Sequence, residues 1–205
     1  MSEKSSQTTE ELILKTAINI SSLHGLEGLT IGQLANAMSM SKSGVFAYFG
    51  SKEQMQLNIL DKVVEIFIEE VIHPARTAQS YMLIWNYCDR WLGYIERDVF
   101  PGGCFVLSAA SEFIGHSGIV HDKVVKINQD WVTSLGNAVQ QAIDNAQLSP
   151  ELDVEQLVFE LNALTIGANW AYKTLSNQQA TQLARRAIWQ RLNDFTITDD
   201  ALPPN

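Results

Sequence analysis

The sequence is poor in the features that mark secreted, disulfide-stabilised and membrane-spanning proteins. It has only two cysteines, Cys88 and Cys104, which form no CxxC pair and no disulfide framework. Its N-terminal segment, MSEKSSQTTEELILK, lacks the basic-then-apolar order of a signal peptide. No apolar run approaches the roughly 18 residues that cross a bilayer. We therefore expect a cytoplasmic protein with reduced thiols; the alternative for Cys104 is a redox-sensing thiol.

Signals for strands and for catalytic sites are equally scarce. Alternating runs of Val, Ile and Thr between Asn-Gly turns are absent, which argues against a sheet. No nucleophile–base–orienter set and no Gly-rich cofactor loop is visible. Glu112, His116 and His121 make a poor metal site, because Gly115 and Gly118 interrupt the helix that carries them. The sequence thus predicts no enzyme activity, no cofactor and no metal.

Helix signals, by contrast, run through the whole chain. Capping patterns predict four helix starts, at Thr8, Thr30, Ser41 and Ser51. The predicted ends are Gly25, Gly50 and the pair His73-Pro74. Beyond Pro74, where all five tryptophans lie, helices are predicted at roughly 77–97, 104–115, 119–147, 152–175 and 178–194. We expect an all-α fold, with a three-helix domain over residues 1–52 and a long helix that leads into a helical domain over residues 53–205.

One window of the chain has no carboxylate, although the protein as a whole is acidic. The chain carries 23 Asp and Glu against 14 Lys and Arg, a formal charge of −9. Between Gly28 and Lys52 there is no Asp or Glu, and Lys42 and Lys52 give this window a charge of +2, so the rest of the chain carries −11. The overall acidity argues against a protein that coats nucleic acid along its length, but this segregation of charge is compatible with a small, locally positive docking face.

Residues 30–49 of this window have the pattern of two short helices that cross over a tight turn, a helix-turn-helix. Leu34 and Val45 supply apolar contacts, and Ala35 is small where the helices approach each other. The turn falls at Ser39, in a position where Gly is usual because the backbone there adopts a positive φ. Ser39 is therefore expected to adopt that conformation at some energetic cost.

The segment TIGQLANAMSMSKSGVFAYFGSKEQM resembles the DNA-binding domain of TetR-family transcriptional regulators. That family has a Thr-led second helix, a Ser-x-x-x-aliphatic-aromatic recognition helix and a following Phe-x-Ser-Lys. The resemblance covers about residues 8–60 of this chain. It accounts for the missing carboxylates, because Asp or Glu in this window would face the phosphates of DNA.

The resemblance implies a set of residues that contact DNA. Thr30 would offer its hydroxyl to a phosphate, Gln33 would reach a base edge or the backbone, and Lys42 would bind a guanine edge or a phosphate. Tyr48 and Lys52 match family positions that contact phosphates. The full predicted set is Thr30, Gln33, Ser41, Lys42, Ser43, Gly44, Tyr48 and Lys52. Without the resemblance, the two lysines would be read as ordinary solvated side chains.

The chain departs from the family pattern at two positions of the recognition helix. Phe46 stands where the family commonly has Tyr, so a hydroxyl contact to phosphate is expected to be missing. Gly44 replaces the usual small hydroxyl residue or Ala, which removes a side chain from the groove and weakens the helix. Phe49 is expected in the core.

The predicted helix at 152–175 has two apolar stripes and therefore needs two partners. One stripe comprises Val154, Val158, Leu161, Leu164, Ala168 and Leu175; the other comprises Phe159, Ala163, Ile166 and Trp170. With the following helix, which carries Leu183, Ala187, Ile188, Leu192 and Phe195, it could form a four-helix bundle with a second copy of the chain. The alternative is burial of both stripes within one subunit.

The resemblance also implies a ligand pocket in the second half of the chain. The aromatic and polar candidates are Trp85, Cys88, Trp91, Phe105, Ser108, Glu112, Phe113, Trp131, Asn162 and Trp170. Core packing is the alternative for each of them taken singly. Glu112 is a carboxylate among apolar neighbours and needs a partner, either a cationic ligand or an internal Arg.

Together these observations predict a ligand-responsive transcriptional regulator, a repressor that binds a palindromic operator as a homodimer. The expected partners are double-stranded DNA, a small-molecule effector and a second copy of the chain, with no membrane. The alternative is a helical ligand-binding or scaffolding protein without DNA binding, for which Phe46 and Gly44 would be the signs.

Overall fold

The computed structural model describes residues 2–78 and 81–197. Its helices are α1 (Ser2–His24), α2 (Ile31–Ala37), α3 (Lys42–Phe49), α4 (Lys52–Phe67), α5 (His73–Ala75), α6 (Tyr81–Glu96), α7 (Phe105–Glu112), α8 (Ile119–Asp144), α9 (Val154–Thr174) and α10 (Ala180–Asn193). Within the described residues the only β contact is an isolated bridge between Leu148 and Thr196. The predicted all-α fold is confirmed.

Two predicted helix boundaries are wrong. Helix α1 begins at Ser2 rather than at Thr8; the segment before Thr8 contains no Gly or Pro, so nothing in it interrupts helical backbone. The helix that opens at Lys52 does not stop at His73-Pro74 but becomes π-helical over Ile68–Ile72 and continues into α5. Pro74, which has no N–H to donate, directly follows this π-helical turn, in which the His73 N–H donates to the Ile68 carbonyl five residues earlier.

The chain forms two compact units that are not consecutive in sequence. The first unit comprises Met1–Ile66 and Phe100–Asn128, and the second comprises Phe67–Val99 and Gln129–Asn205. Helix α7 and the beginning of α8 therefore belong to the same unit as α1 to α3. The predicted boundary at residue 52 separates a DNA-binding part from a ligand-binding part and does not coincide with the boundary between the two compact units. It remains a prediction.

The first unit is built around apolar side chains that recur at helical spacing. Ile13 and Ala17 of α1, Leu34 of α2, Val45 of α3 and Ile59 of α4 are all completely buried. Full burial of one such aliphatic side chain stabilises a fold by roughly 1.5–3 kcal/mol. This core fixes which faces of α2 and α3 are left toward solvent.

A close backbone approach ties the loop before α7 to the end of α1 within the first unit. The Gly102 N–H donates to the Ser22 hydroxyl at 2.9 Å. A Cβ atom at position 102 would lie 1.8 Å from the Ser22 carbonyl oxygen, so only glycine fits there. Ser22 is itself buried.

The second unit has an aromatic core and a half-buried ion-pair cluster. Trp131 lies edge-to-face against Phe67 at 5.6 Å between ring centroids and is stacked on Trp91 at 6.5 Å. Arg185 of α10 donates to Asp89 at 2.7 Å and to both carboxylate oxygens of Glu96, at 2.6 and 2.9 Å. These hydrogen bonds pin α10 to α6.

Candidate nucleic-acid interface

Helix α2 begins with a complete capping box, as predicted. The Thr30 hydroxyl accepts from the Gln33 N–H at 3.2 Å, while the Gln33 side-chain oxygen accepts from the Thr30 N–H at 2.8 Å. The Thr30 hydroxyl also donates to that same oxygen at 2.9 Å. Both side chains are exposed, but both already stabilise the start of α2. Any contact of either side chain with DNA would therefore come in addition to this structural role or at its expense.

The turn between α2 and α3 has the strained geometry that the sequence predicts. Ser39 has a φ of 54°, in the left-handed region. Its N–H donates to the Asn36 carbonyl at 3.2 Å, and the Met40 N–H donates to the Ala35 carbonyl at 2.9 Å. This is the Schellman pattern, which normally has Gly in the position of Ser39. The turn sets the direction in which α3 leaves α2.

Helix α3 presents a mixed face to solvent. Ser41 caps its start by accepting from the Gly44 N–H at 3.0 Å, and the Ser41 and Ser43 hydroxyls lie 3.1 Å apart. Val45 and Phe49 are buried, which confirms Phe49 as a core residue. The outward positions are Lys42, Ser43, Phe46 and Ala47. The predicted DNA-contacting end of α3 is therefore exposed, except for Gly44, which is half-buried.

Lys42 and Lys52 have different environments. Within the residues that the structure describes, the Lys42 ammonium makes no ion pair or hydrogen bond, and its side chain lies over Gly32, where a Cβ would be 3.1 Å from Lys42 Cε. The Lys52 ammonium instead donates to the Glu27 carbonyl at 2.6 Å and lies 3.4 Å from the Glu27 carboxylate. Lys42 is thus fully available to an anion, whereas Lys52 already holds the loop between α1 and α2.

The same loop is held from two further directions. The Gln56 side chain donates to the Leu26 carbonyl and to the Glu27 carboxylate, each at 3.1 Å. The Glu112 carboxylate at the end of α7 accepts from the Glu27 N–H at 2.8 Å. Sequence reasoning missed this network, because its members are far apart in the chain and no local pattern marks them. It matters because this loop leads directly into Thr30.

Tyr48 completes the predicted contact set. Its ring is half-buried, and its hydroxyl makes no hydrogen bond within the described part of the chain. With Lys42, it offers an unengaged polar group on a surface without carboxylates between Gly28 and Lys52. No group in the described ranges, 2–78 and 81–197, pairs with the Lys42 ammonium or the Tyr48 hydroxyl.

The ten predicted ligand-binding residues divide between the two units. Phe105, Ser108, Glu112 and Phe113 belong to the first unit; Trp85, Cys88, Trp91, Trp131, Asn162 and Trp170 belong to the second. In the second unit the Trp131 indole N–H donates to the Asn162 side-chain oxygen at 3.1 Å, and Trp85 packs edge-to-face against Trp189. These contacts show that several candidates pack in the core, and a role in ligand binding remains a prediction.

Three of the candidate residues have properties that the sequence did not indicate. Among the described residues the partner of Glu112 is a backbone amide and not the internal Arg that was one of its two expected partners. Trp170 is 56% exposed on α9 rather than enclosed. Burial, with a smaller contribution from the nearby charge of Asp89, raises the pKa of the Cys88 thiol to about 12, so that cysteine stays protonated at neutral pH.

Other reactive sites find no support among the described residues. No group of three or more His, Cys, Asp and Glu side chains that could hold a metal ion occurs there. Cys104 is 3% exposed, a setting that gives oxidants little access to its sulfur. No helix in the described ranges is long and apolar enough to span a membrane.

Helices α9 and α10 carry an apolar face that stays open in the single chain. Phe159, Ile166 and Trp170 recur at the spacing of one helix face and are 69, 38 and 56% exposed. Ala163 on the same face and Leu183 of α10 are also exposed. The second predicted stripe of α9 is therefore left uncovered by its own subunit, whereas Val158, Leu161 and Ala168 of the first stripe are buried.

Comparisons with known proteins agree with this architecture. A family model described as "Bacterial regulatory proteins, tetR family" matches residues 13–58, and one described as "Tetracyclin repressor-like, C-terminal domain" matches residues 83–188. A search of curated proteins returned no match.

Among solved structures, the chain is similar to a TetR transcriptional regulator from Chloroflexus aurantiacus J-10-FL, with 23% identity, a TM-score of 0.86 and coverage of 94% of this chain and 98% of that one. A TetR-family regulator from Cytophaga hutchinsonii gives 17% identity, a TM-score of 0.80 and coverage of 94% and 96%. AibR, in complex with isovaleryl coenzyme A and operator DNA, gives 19% identity, a TM-score of 0.68 and coverage of 91% and 97%. At these identities the structures establish the fold alone. Because the family models cover the helix-turn-helix and most of the second half, the chain belongs to the TetR family of transcriptional regulators.

Proposed function

We propose that this protein is an effector-responsive repressor that binds a palindromic operator as a homodimer. The observation that carries the proposal is the exposed, carboxylate-free face of α2 and α3, on which the Lys42 ammonium and the Tyr48 hydroxyl have no partner within the described residues. Residues 1–52 would bind DNA, and residues 53–205 would bind effector and form the dimer. A repressor of this kind acts on the chromosome, in the cytoplasm.

The proposed DNA contacts follow from the charge and the position of each group. Lys42 and Ser43 lie at the leading end of α3, the end that enters a major groove in helix-turn-helix proteins. Lys42 would bind a phosphate or a guanine edge, and the Tyr48 hydroxyl would donate to a phosphate. Ser41, Gly44, Thr30 and Gln33 would shape and cap the two helix starts at the contact. Lys52 would contribute mainly through the α1–α2 loop that it holds, with its remaining proton free for a phosphate.

The proposed dimer uses the uncovered face of α9 and α10. Phe159, Ile166 and Trp170 expose large apolar side chains on one helix face, which is unusual for a surface that stays in water. A second copy of the chain has the same face, so a two-fold axis would cover both at once. Two copies also place two recognition helices on one duplex, and together these contact more bases than a single short α3 could.

The proposed effector site lies in the second half of the chain. A pocket is usually apolar with a few oriented polar groups, and the aromatic cluster around Trp131 and Asn162 has that composition. AibR, which is similar in fold, carries both a small-molecule ligand and operator DNA. Effector binding would favour one of two conformations and thereby change operator affinity.

Selection from random-sequence duplexes tests this proposal. Folded protein is expected to enrich a two-fold-symmetric site that binds two chains per duplex. Failure to enrich any site at low salt, by protein that is folded and dimeric, would instead favour a helical ligand-binding or scaffolding protein without DNA binding.

A further inference from the structure

The outward face of α3 combines polar and apolar groups in a regular order. Lys42 and Phe46 are four residues apart, as are Ser43 and Ala47, so each polar residue lies one helical turn before an apolar one. All four side chains are exposed, and Phe46 keeps 51% of its surface accessible. The core of the first unit contains Val45 and Phe49 of the same helix, whereas Phe46 does not pack in it.

The charge around these apolar groups indicates the nature of their partner. An apolar face that docks on protein normally has a polar rim. The segment that carries this face, from Gly28 to Lys52, contains two lysines and no carboxylate. The unengaged Lys42 ammonium lies one turn from Phe46 and favours a polyanion. A partner for this face therefore has to offer both negative charge and a small apolar group.

Duplex DNA offers both in its major groove. The 5-methyl group of thymine is the apolar feature of that groove, and Phe and Ala side chains are among those that contact it. Phe46 has no hydroxyl and so cannot donate to a phosphate, which leaves apolar contact as its contribution. We infer that Phe46, supported by Ala47, contacts thymine methyl groups in the operator and so determines part of the base sequence that the protein prefers. This inference rests on the proposed function.

Replacement of thymine by deoxyuridine tests this inference, because it removes only the methyl group. The probe is the duplex enriched by selection, with deoxyuridine in place of thymine inside the half-sites, and with deoxyuridine outside them as control. Loss of one methyl contact is expected to weaken binding roughly fourfold, and loss of one in each half-site roughly 16-fold. The control duplex should bind as the unmodified one does.

Variants assign the methyl contact to its residue. Phe46→Ala should bind the thymine duplex more weakly than the parent does, and its affinity should no longer depend on whether thymine or deoxyuridine is present. In Ala47→Ser the difference in affinity between the two duplexes should shrink by a smaller amount. Phe46 is exposed, so unfolding of both variants should match that of the parent. Equal affinity of the parent for thymine and deoxyuridine half-sites, or undiminished sensitivity in Phe46→Ala, would overturn the inference while leaving operator binding intact. Failure to enrich any duplex would instead count against the proposed function.

Discussion

The Glu112 carboxylate accepts a hydrogen bond of 2.8 Å from the backbone N–H of Glu27, 85 residues earlier in the chain. The same carboxylate lies over Gly25, where a Cβ would come within 2.9 Å of it. Lys52 holds the Glu27 carbonyl from the other side. The loop that leads into α2 and α3 is thus fixed by α7 as well as by α4.

Removal of the Glu112 acceptor should destabilise the first unit. Glu112→Ala leaves the part-buried Glu27 N–H without its partner, which costs roughly 1–3 kcal/mol in the free energy of unfolding. Glu112→Gln keeps a side-chain oxygen at the same distance from the backbone and should lose less than half as much. Denaturant unfolding of the two variants beside the parent measures the difference; equal losses would show that charge, rather than the hydrogen bond, matters.

A glycine in the α2–α3 turn should stabilise the protein. Ser39 has a φ of 54°, and the left-handed region costs a residue with a side chain roughly 1–2 kcal/mol. Ser39→Gly removes that cost, less the entropy that glycine loses on folding, for a net gain of about 0.5–1 kcal/mol. Ser39→Ala is the matched control and should bring no gain, because its Cβ meets the same backbone clash. A higher denaturation midpoint for the alanine variant would refute this explanation.

A charge on the open face of α9 should break the proposed dimer without unfolding the chain. Trp170 is 56% exposed in the single subunit, so Trp170→Glu disturbs no core of its own. Sedimentation velocity should show the variant as a monomer with unchanged helicity and with weaker operator binding. Val132→Glu on α8, which places a charge at an apolar side chain that is 41% exposed, is the control and should remain dimeric. Dimers of Trp170→Glu would locate the interface elsewhere.

The Arg185 cluster should make stability depend on pH in acid. Hydrogen bonding by Arg185 holds the pKa of Glu96 below its usual 4.5. The pair therefore contributes fully to the free energy of unfolding above pH 4.5, and this contribution is lost as the pH falls through the lowered pKa of Glu96. Arg185→Met should therefore reduce unfolding free energy at pH 7, by about 1–3 kcal/mol, and the gap to the parent should narrow in acid. Arg97→Met, which removes an exposed pair with Glu70, should cost less than about 1 kcal/mol. A gap that is independent of pH would contradict the assigned role of Glu96.

Local signals in the sequence predicted much of the candidate interface and less of the rest. Caps at Thr30 and Ser41 and the positive φ of Ser39 depend on neighbouring residues, and all three are found in the structure. The π-helical segment at Ile68–Ile72 has no comparable local signature. The engagement of Lys52 by Glu27 joins residues distant in sequence, which no capping or periodicity argument could indicate. An exposed lysine and a lysine that braces a loop look alike in a sequence.

The salt dependence of operator affinity tests the central claim most directly. On the duplex enriched by selection, log affinity should fall steeply and linearly with log salt, and each lost phosphate contact should reduce the slope by about 0.9. Lys42→Ala should therefore lower both affinity and slope, by up to two contacts per dimer, with unchanged unfolding. Lys62→Ala removes the same charge from α4, where Lys62 pairs with Glu65, and should leave both quantities as in the parent. Equal affinities and equal slopes for Lys42→Ala and the parent would contradict the assignment of this face to DNA.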